Sequence, residues 1–134
     1  MFNRGDLAAA DAYFGPEFFN HAGPQDWPHG PEGIKRTVTM LRTAFPDLHY
    51  KVEEVIVEGN TFAARWTARG THQGPFQGPV GSVPAANFPA TGRQVGFQGI
   101  TLGRIINGKG GESWVLMDQL GLLRQLGVLP GRQP

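Results

Sequence analysis

The sequence predicts an α+β fold, and three observations carry that prediction. Apolar residues recur at helical spacing early in the chain, within residues 7–14 and again within 31–45. From His49 onward the period shortens to two, the repeat of a strand. Two turn pairs, Gly59-Asn60 and Asn107-Gly108, then fold those strands into an antiparallel meander. Helices ahead of strands, rather than alternating with them, argue for helices packed on one face of a curved sheet. At 134 residues the chain fits one domain, 1–134, with a single sizeable core and a tail at 128–134 that is expected to fray.

Taken in order, Phe2 to Asp6 forms a turn with Asp6 as N-cap of a helix carrying Leu7, Ala10 and Phe14, which Gly15-Pro16 stops. A short apolar segment, Glu17 to His21, leads into a rigid Gly- and Pro-rich loop, so His21 sits at an element's end. Pro31 is placed as the first residue of a second helix, with Ile34, Val38, Leu41 and Phe45 on one face and Pro46 as its stop. A strand from His49 puts Tyr50, Val52 and Ile56 on one face and Val55 and Val57 on the other. Its hairpin partner, Thr61 to His72, puts Phe62, Ala64, Trp66 and Ala68 opposite Arg65, Thr67, Arg69 and Thr71. Gln73 to Arg93 reads as a long excursion without a sustained period, the kind of segment that serves as a lid or an interface. Gln94 to Ile106 and Glu112 to Met117 are the last strands, and a leucine-rich helical turn follows.

Composition narrows the function. The net charge is +1, and neither clustered Lys and Arg nor interleaved aromatic and basic residues suggest nucleic acid. Between Glu58 and Glu112 there is no acidic residue, whereas Arg65, Arg69, Arg93, Arg104 and Lys109 fall there. That locally basic middle reads as a solvated sheet surface or as help for an anionic group in a pocket. The absence of cysteine excludes disulfides, thiolate nucleophiles and Cys-based metal sites. No secretory leader or bilayer-spanning run is visible, so a soluble protein with no membrane partner is expected, and a cytoplasmic location is the default.

Chemistry is narrowed further by elimination. Ser82 and Ser113 lie in no nucleophile-elbow pattern, the four histidines show no ligand spacing, and the glycines form no phosphate-binding loop. No metal site is therefore expected. What remains is Asp118, which shares a strand face with Trp114 and Leu116. Two readings stand. If that face is buried, Asp118 is a proton carrier near neutral pH; otherwise it caps the helical turn that follows. A carboxylate in an apolar cavity can remove a proton from carbon beside a carbonyl when a donor stabilises the enolate. Candidate donors are His21, Arg65, His72, Gln98 and the indole of Trp114, each with a plainer role in capping, solvation or packing. Trp27, Trp66 and Phe97 are candidate aromatic walls. An apolar second sheet face also predicts a homodimer.

An ordered set of short motifs spans nearly the whole chain: Phe2-Asn3-Arg4-Gly5-Asp6, Phe19-Asn20-His21, Phe45-Pro46-Asp47-Leu48-His49, Gly70-Thr71-His72-Gln73-Gly74, Thr91-Gly92-Arg93, Glu112-Ser113-Trp114 with Asp118, and Gln125-Leu126-Gly127. This set resembles the SnoaL-like polyketide cyclases. The resemblance implies a cone-shaped α+β barrel, shared with ketosteroid isomerases and nuclear transport factors, whose curved sheet and N-terminal helices enclose a pocket. It implies cofactor-independent aldol-type closure of a hydrophobic carbonyl substrate with Asp118 as acid/base, and His21 and Trp114 as pocket residues. Two alternatives share the scaffold: a non-catalytic module for a small ligand, and epoxide-hydrolase-like water addition. Against the family pattern, a longer leading helix is expected ahead of Phe2, Pro79 to Ala90 is extra length at a rim or dimer surface, and Gly110-Gly111 makes the final strand start later or carry a bulge.

Overall fold

Ten elements make up the computed structural model, which describes residues 3–21, 29–80 and 83–127, with backbone only for 76–80, 83–88 and 119. They are α1 (Ala8–Tyr13), β1 (Phe14–Asn20), α2 (Pro31–Ala44), β2 (His49–Glu58), β3 (Thr61–Thr71), β4 (Phe76–Val80), β5 (Val83–Phe88), β6 (Gln94–Ile106), β7 (Lys109–Met117) and α3 (Gln119–Leu126). Five strands form one curved sheet in the order β1-β7-β6-β3-β2. Strands β2, β3, β6 and β7 pair antiparallel, as the meander predicts. β1, however, adds to the edge parallel to β7.

Helix α2 forms where the sequence places it, with Pro31 in its first turn and Ile34, Val38 and Ala44 buried. Helix α1 is shorter than expected: Leu7 is its N-cap position, and Phe14 already belongs to β1. Gly15-Pro16 does not end structure there but lies inside β1. An edge strand tolerates the missing N–H of proline, and the register shift between Phe14 and Phe19 absorbs it.

The three helices among the described residues cover the same face of the sheet. One core joins Ala44, Phe45 and Leu48 to Trp66 and Ala68 of β3, Val95 and Phe97 of β6, and Leu122, Leu123 and Leu126 of α3. A second joins Ala10, Ile34 and Val38 to Phe18 of β1. Strand register lays out this inner face in cross-strand rows: Val52–Trp66–Gly99–Met117, then Val55–Ala64–Thr101–Val115, then Val57–Phe62–Gly103–Ser113. Two glycines make the inner face possible. A Cβ on Gly99 would stand 2.5 Å from Cζ2 of Trp66, and one on Gly103 would collide with the ring of Phe62. The two aromatic rings of β3 thus lie across glycines of β6.

Of three local differences from the sequence reading, the first two share one cause, an extra residue in a ladder. In β2 the register shifts between Val52 and Glu54, so Val55 and Val57 join Tyr50 and Val52 on the inner face and Ile56 turns outward. In β7 pairing begins at Lys109, earlier than the expected Glu112, and a bulge at Gly111 lets Arg104 pair with Glu112 but Ile105 with Gly110. Third, Trp114 and Leu116 face outward with Ile100 and Leu102, while Ser113, Val115 and Met117 face the helices. The expected burial of the Trp114–Leu116–Asp118 face is therefore corrected: Leu116 is 81% exposed because the described helices pack on the other side, and Asp118, one residue past the end of β7, is exposed as well. The stretch from Gln73 to Arg93 contains a two-stranded hairpin, β4–β5, separate from the main sheet. The tail at 128–134 and the aromatic candidate Trp27 fall outside the described residues. No helix among the described residues is long and apolar enough to cross a membrane.

Candidate functional site

Asp118 closes β7 and opens α3. Its Oδ1 accepts the Gly121 N–H at 2.9 Å, its own N–H donates to the Gln98 carbonyl at 3.0 Å, and its carbonyl accepts from Leu122 at 3.1 Å. The carboxylate rests so close over Gly121 that a Cβ there would overlap it. The residue is exposed. Of the two sequence readings, the geometry realises the N-cap, and the burial that the proton-carrier reading assumed is absent from this chain.

His21 and Trp114 do come together. The chain leaves β1 with the His21 N–H on the Ser113 carbonyl at 2.8 Å, which sets the His21 ring parallel to the Trp114 indole, 4.5 Å between centroids. Since a carboxylate only accepts, His21 donates its Nε2–H to Glu112 Oε2 at 2.8 Å. The Arg104 guanidinium lies 3.6 Å from Glu112 Oε1 and 5.2 Å from the Trp114 ring centroid. This cluster sits on the outer face of the sheet. Trp114 and Asp118 are four residues apart on an extended strand, roughly 13 Å.

The other expected donors lie elsewhere. Arg65 is on the outer face, exposed, with Glu54 at 3.5 Å. Gln98 is also outward, and touches Asp118 only through the backbone. His72 is fully buried against Phe45 at the base of the β4–β5 hairpin. Its Nδ1 accepts from the Thr91 N–H at 3.3 Å and lies 3.0 Å from the Thr91 hydroxyl, so its proton resides on Nε2, which has no partner among the described residues. Burial holds its imidazole below the usual 6.5 and keeps it neutral.

Several of the recurring motif residues prove to be staples between a side chain and a distant backbone. Asn3 exchanges two hydrogen bonds with the Tyr50 backbone, at 2.6 and 3.1 Å, as a strand neighbour would. Gln125 does the same with Gly96, both at 2.8 Å, fixing α3 to β6. Asp47 accepts from the N–H and hydroxyl of Thr71 at 2.7 and 2.8 Å, which holds its carboxyl below the usual range. His72 clasps Thr91 and Arg93 across the hairpin's base.

Sequence reasoning missed the concave face as a surface. Val52, Val55 and Val57 point inward yet are 59%, 52% and 66% exposed, and Phe62, Ala64, Thr101 and Val115 beside them are half-buried. The helices therefore close only part of the cone. Burial pushes the Tyr50 hydroxyl above the usual phenol range, so it stays protonated beside Trp66. Trp66 donates its indole N–H to Thr101 Oγ1 at 3.0 Å. The signal for this surface was the small-residue run on alternate β6 positions, Gly99, Thr101 and Gly103. A separate open groove of about 440 Å³ runs along α2 past Leu7, Arg36, Met40 and Pro75, and none of the expected site residues lines it. Among the described residues no group of three His, Cys, Asp or Glu is arranged to hold a metal ion.

The sequence profile of the SnoaL-like polyketide cyclases matches residues 1–126. The chain belongs to the SnoaL-like polyketide cyclase family. Among solved structures it is similar to TsrD from Streptomyces laurentii, with 29% identity over 96% of this chain and 87% of that one and a TM-score of 0.81. It is also similar to IdmH, a proposed polyketide cyclase from Streptomyces antibioticus, with 30% identity, 95% and 91% coverage, and a TM-score of 0.71. A proposed polyketide cyclase from Bacillus cereus gives 26% identity, 96% and 74% coverage, and a TM-score of 0.76. No curated protein matches the chain. These neighbours share the cone fold, and in this SnoaL-like chain the open part of the cone is the concave face bounded by β2, β3 and β6.

Proposed function

We propose that this SnoaL-like protein is a cofactor-independent cyclase or isomerase that seats an apolar carbonyl compound on the concave face and moves its proton with Asp118. The observation that carries the reading is the open inner surface, apolar except for a few hydroxyls, in a chain of this family. Such a surface desolvates a ketone or ester and leaves few groups to compete for its oxygen. Asp118 stands where β7 meets α3. Its Oδ1 is fixed by Gly121, while Oδ2 has no hydrogen bond among the described residues and is available to a substrate proton.

Asparagine also caps helices, so Asp118→Asn removes the base while keeping the cap. Exchange of the α-protons of an aryl methyl ketone into D2O, followed by NMR, should be accelerated by the protein and lose at least 100-fold of that acceleration in Asp118→Asn. Equal exchange by both proteins would sink the mechanism. One observation favours a second reading, a non-catalytic module for the same class of ligand: Asp118 is exposed. Ligand binding without any acceleration of exchange would select it.

The same proposal includes a second copy of the chain over the outer face. There Ile56, Ala63, Leu102 and Trp114 form one cross-strand row, and Ile100 and Leu116 extend the next. Glu54, Arg65, Arg104 and Glu112 rim that apolar patch with both signs of charge, the arrangement of an apolar interface core inside a polar rim.

A further inference from the structure

We infer that Thr101 is the hydrogen-bond donor that orients the ligand's carbonyl oxygen on the concave face, and that Trp66 makes it one. The inference rests on the reading of that face as the ligand site and names the residue that selects a carbonyl there. Thr101 stands in the middle row of the inner face between Ala64 of β3 and Val115 of β7, with exposed Val55 one strand further out. Along β6 its inward neighbours are Gly99 and Gly103, neither of which has a side chain to cover it. Those two positions are instead overlaid by the rings of Trp66 and Phe62. The Thr101 hydroxyl therefore lies in a notch between two aromatic rings, a shape suited to a flat ligand.

Hydrogen-bond direction supplies the chemistry. Indole N–H can only donate, so in the 3.0 Å contact Thr101 Oγ1 is the acceptor. The hydroxyl proton must then point elsewhere, and among the described residues it reaches no acceptor. Donation into the oxygen also polarises the O–H toward its next partner. An apolar ligand bearing a carbonyl satisfies that proton, whereas the same skeleton without oxygen leaves it unpaired in an apolar setting. The site thus discriminates by an unpaired donor rather than by size.

The test compares two nearly isosteric probes, 2-acetylnaphthalene and 2-ethylnaphthalene, by quenching of tryptophan fluorescence. The wild-type protein should bind the ketone about three- to tenfold more tightly. Thr101→Val, which keeps the β-branched shape, should bring the ratio to one while 2-ethylnaphthalene binds as before. Thr101→Ser, which keeps the hydroxyl, should retain the preference and guards against a general folding defect. A preference that survives Thr101→Val, one absent from the wild type, or failure of the wild type to bind either probe would overturn the inference. The ratio is a binding measurement independent of turnover. Exchange that survives Asp118→Asn therefore defeats the catalytic reading alone, and a ratio that survives Thr101→Val defeats this one alone.

Discussion

At the scale of single residues, Asp118 satisfies a structural rule, the N-cap of α3, with one oxygen of its carboxylate. Its cap occupies one carboxylate oxygen and depends on Gly121 having no Cβ. Asp118→Ala is expected to lower the stability of the protein by about 1 kcal/mol through loss of the cap, and Asp118→Asn to leave it nearly unchanged, as read from thermal melts. His72 gives a prediction with a definite sign. The folded state holds its imidazole below 6.5, so below that pH the unfolded chain binds a proton that the folded chain resists. Stability is therefore fully present above about pH 6.5 and falls on acidification. His72→Phe should flatten the fall in melting temperature between pH 7 and pH 5, whatever its effect at neutral pH. The cap at Asp118 and the proton-carrier alternative were both readable from the sequence. Choosing between them was not, because a period of two says which residues share a face but not which face the helices cover.

Elements were read well wherever turn chemistry and periodicity agreed. Helix α2 was bounded by Pro31 and Pro46, and both β hairpin turns fell where Asn and Gly predicted them, with Asn107 and Gly108 at positive φ. Readings failed where a ladder slips by one residue. The bulge beside Glu53 flips Ile56 outward and Val55 and Val57 inward, and nothing in the spacing of valines announces it. Likewise, Gly110-Gly111 was legible as a bulge, although the strand begins before it. Glycines inside β6 carry a stronger expectation. Gly99→Val should cost roughly 1–3 kcal/mol by thermal melting, because the new side chain meets the Trp66 ring and the Leu116 carbonyl at once. A stability within 0.5 kcal/mol of wild type would mean that Trp66 can leave its place on the sheet cheaply.

For the molecule as a whole, the decisive asymmetry is that every helix among the described residues lies on one side of the sheet. One side carries the core and the open concavity; the other presents apolar rows to solvent. If the proposed second copy covers this face, Leu116→Glu, at an 81% exposed position, should leave the fold intact yet yield a monomer where the wild type is a dimer in size-exclusion chromatography with light scattering. A wild-type protein that stays monomeric at high concentration would remove the second copy from the proposal. Cone architecture and family were legible because the motifs are spread in order along the chain. The candidate site was only partly legible for a related reason: those same residues, Asn3, Asp47, His72 and Gln125 among them, chiefly pin remote backbone together and define the cone rather than line it.

The parallel seam between β1 and β7 bears on how the chain reaches this state. Phe19 pairs with Glu112 across most of the sequence, whereas the β2–β3 and β6–β7 hairpins close over short turns. Loop-closure entropy delays such a pairing until the rest of the sheet exists, and during synthesis β1 has no partner until β7 has emerged. Folding of this protein is therefore expected to end at its N-terminal edge, and a late change in Trp114 fluorescence as His21 stacks on it would report that step.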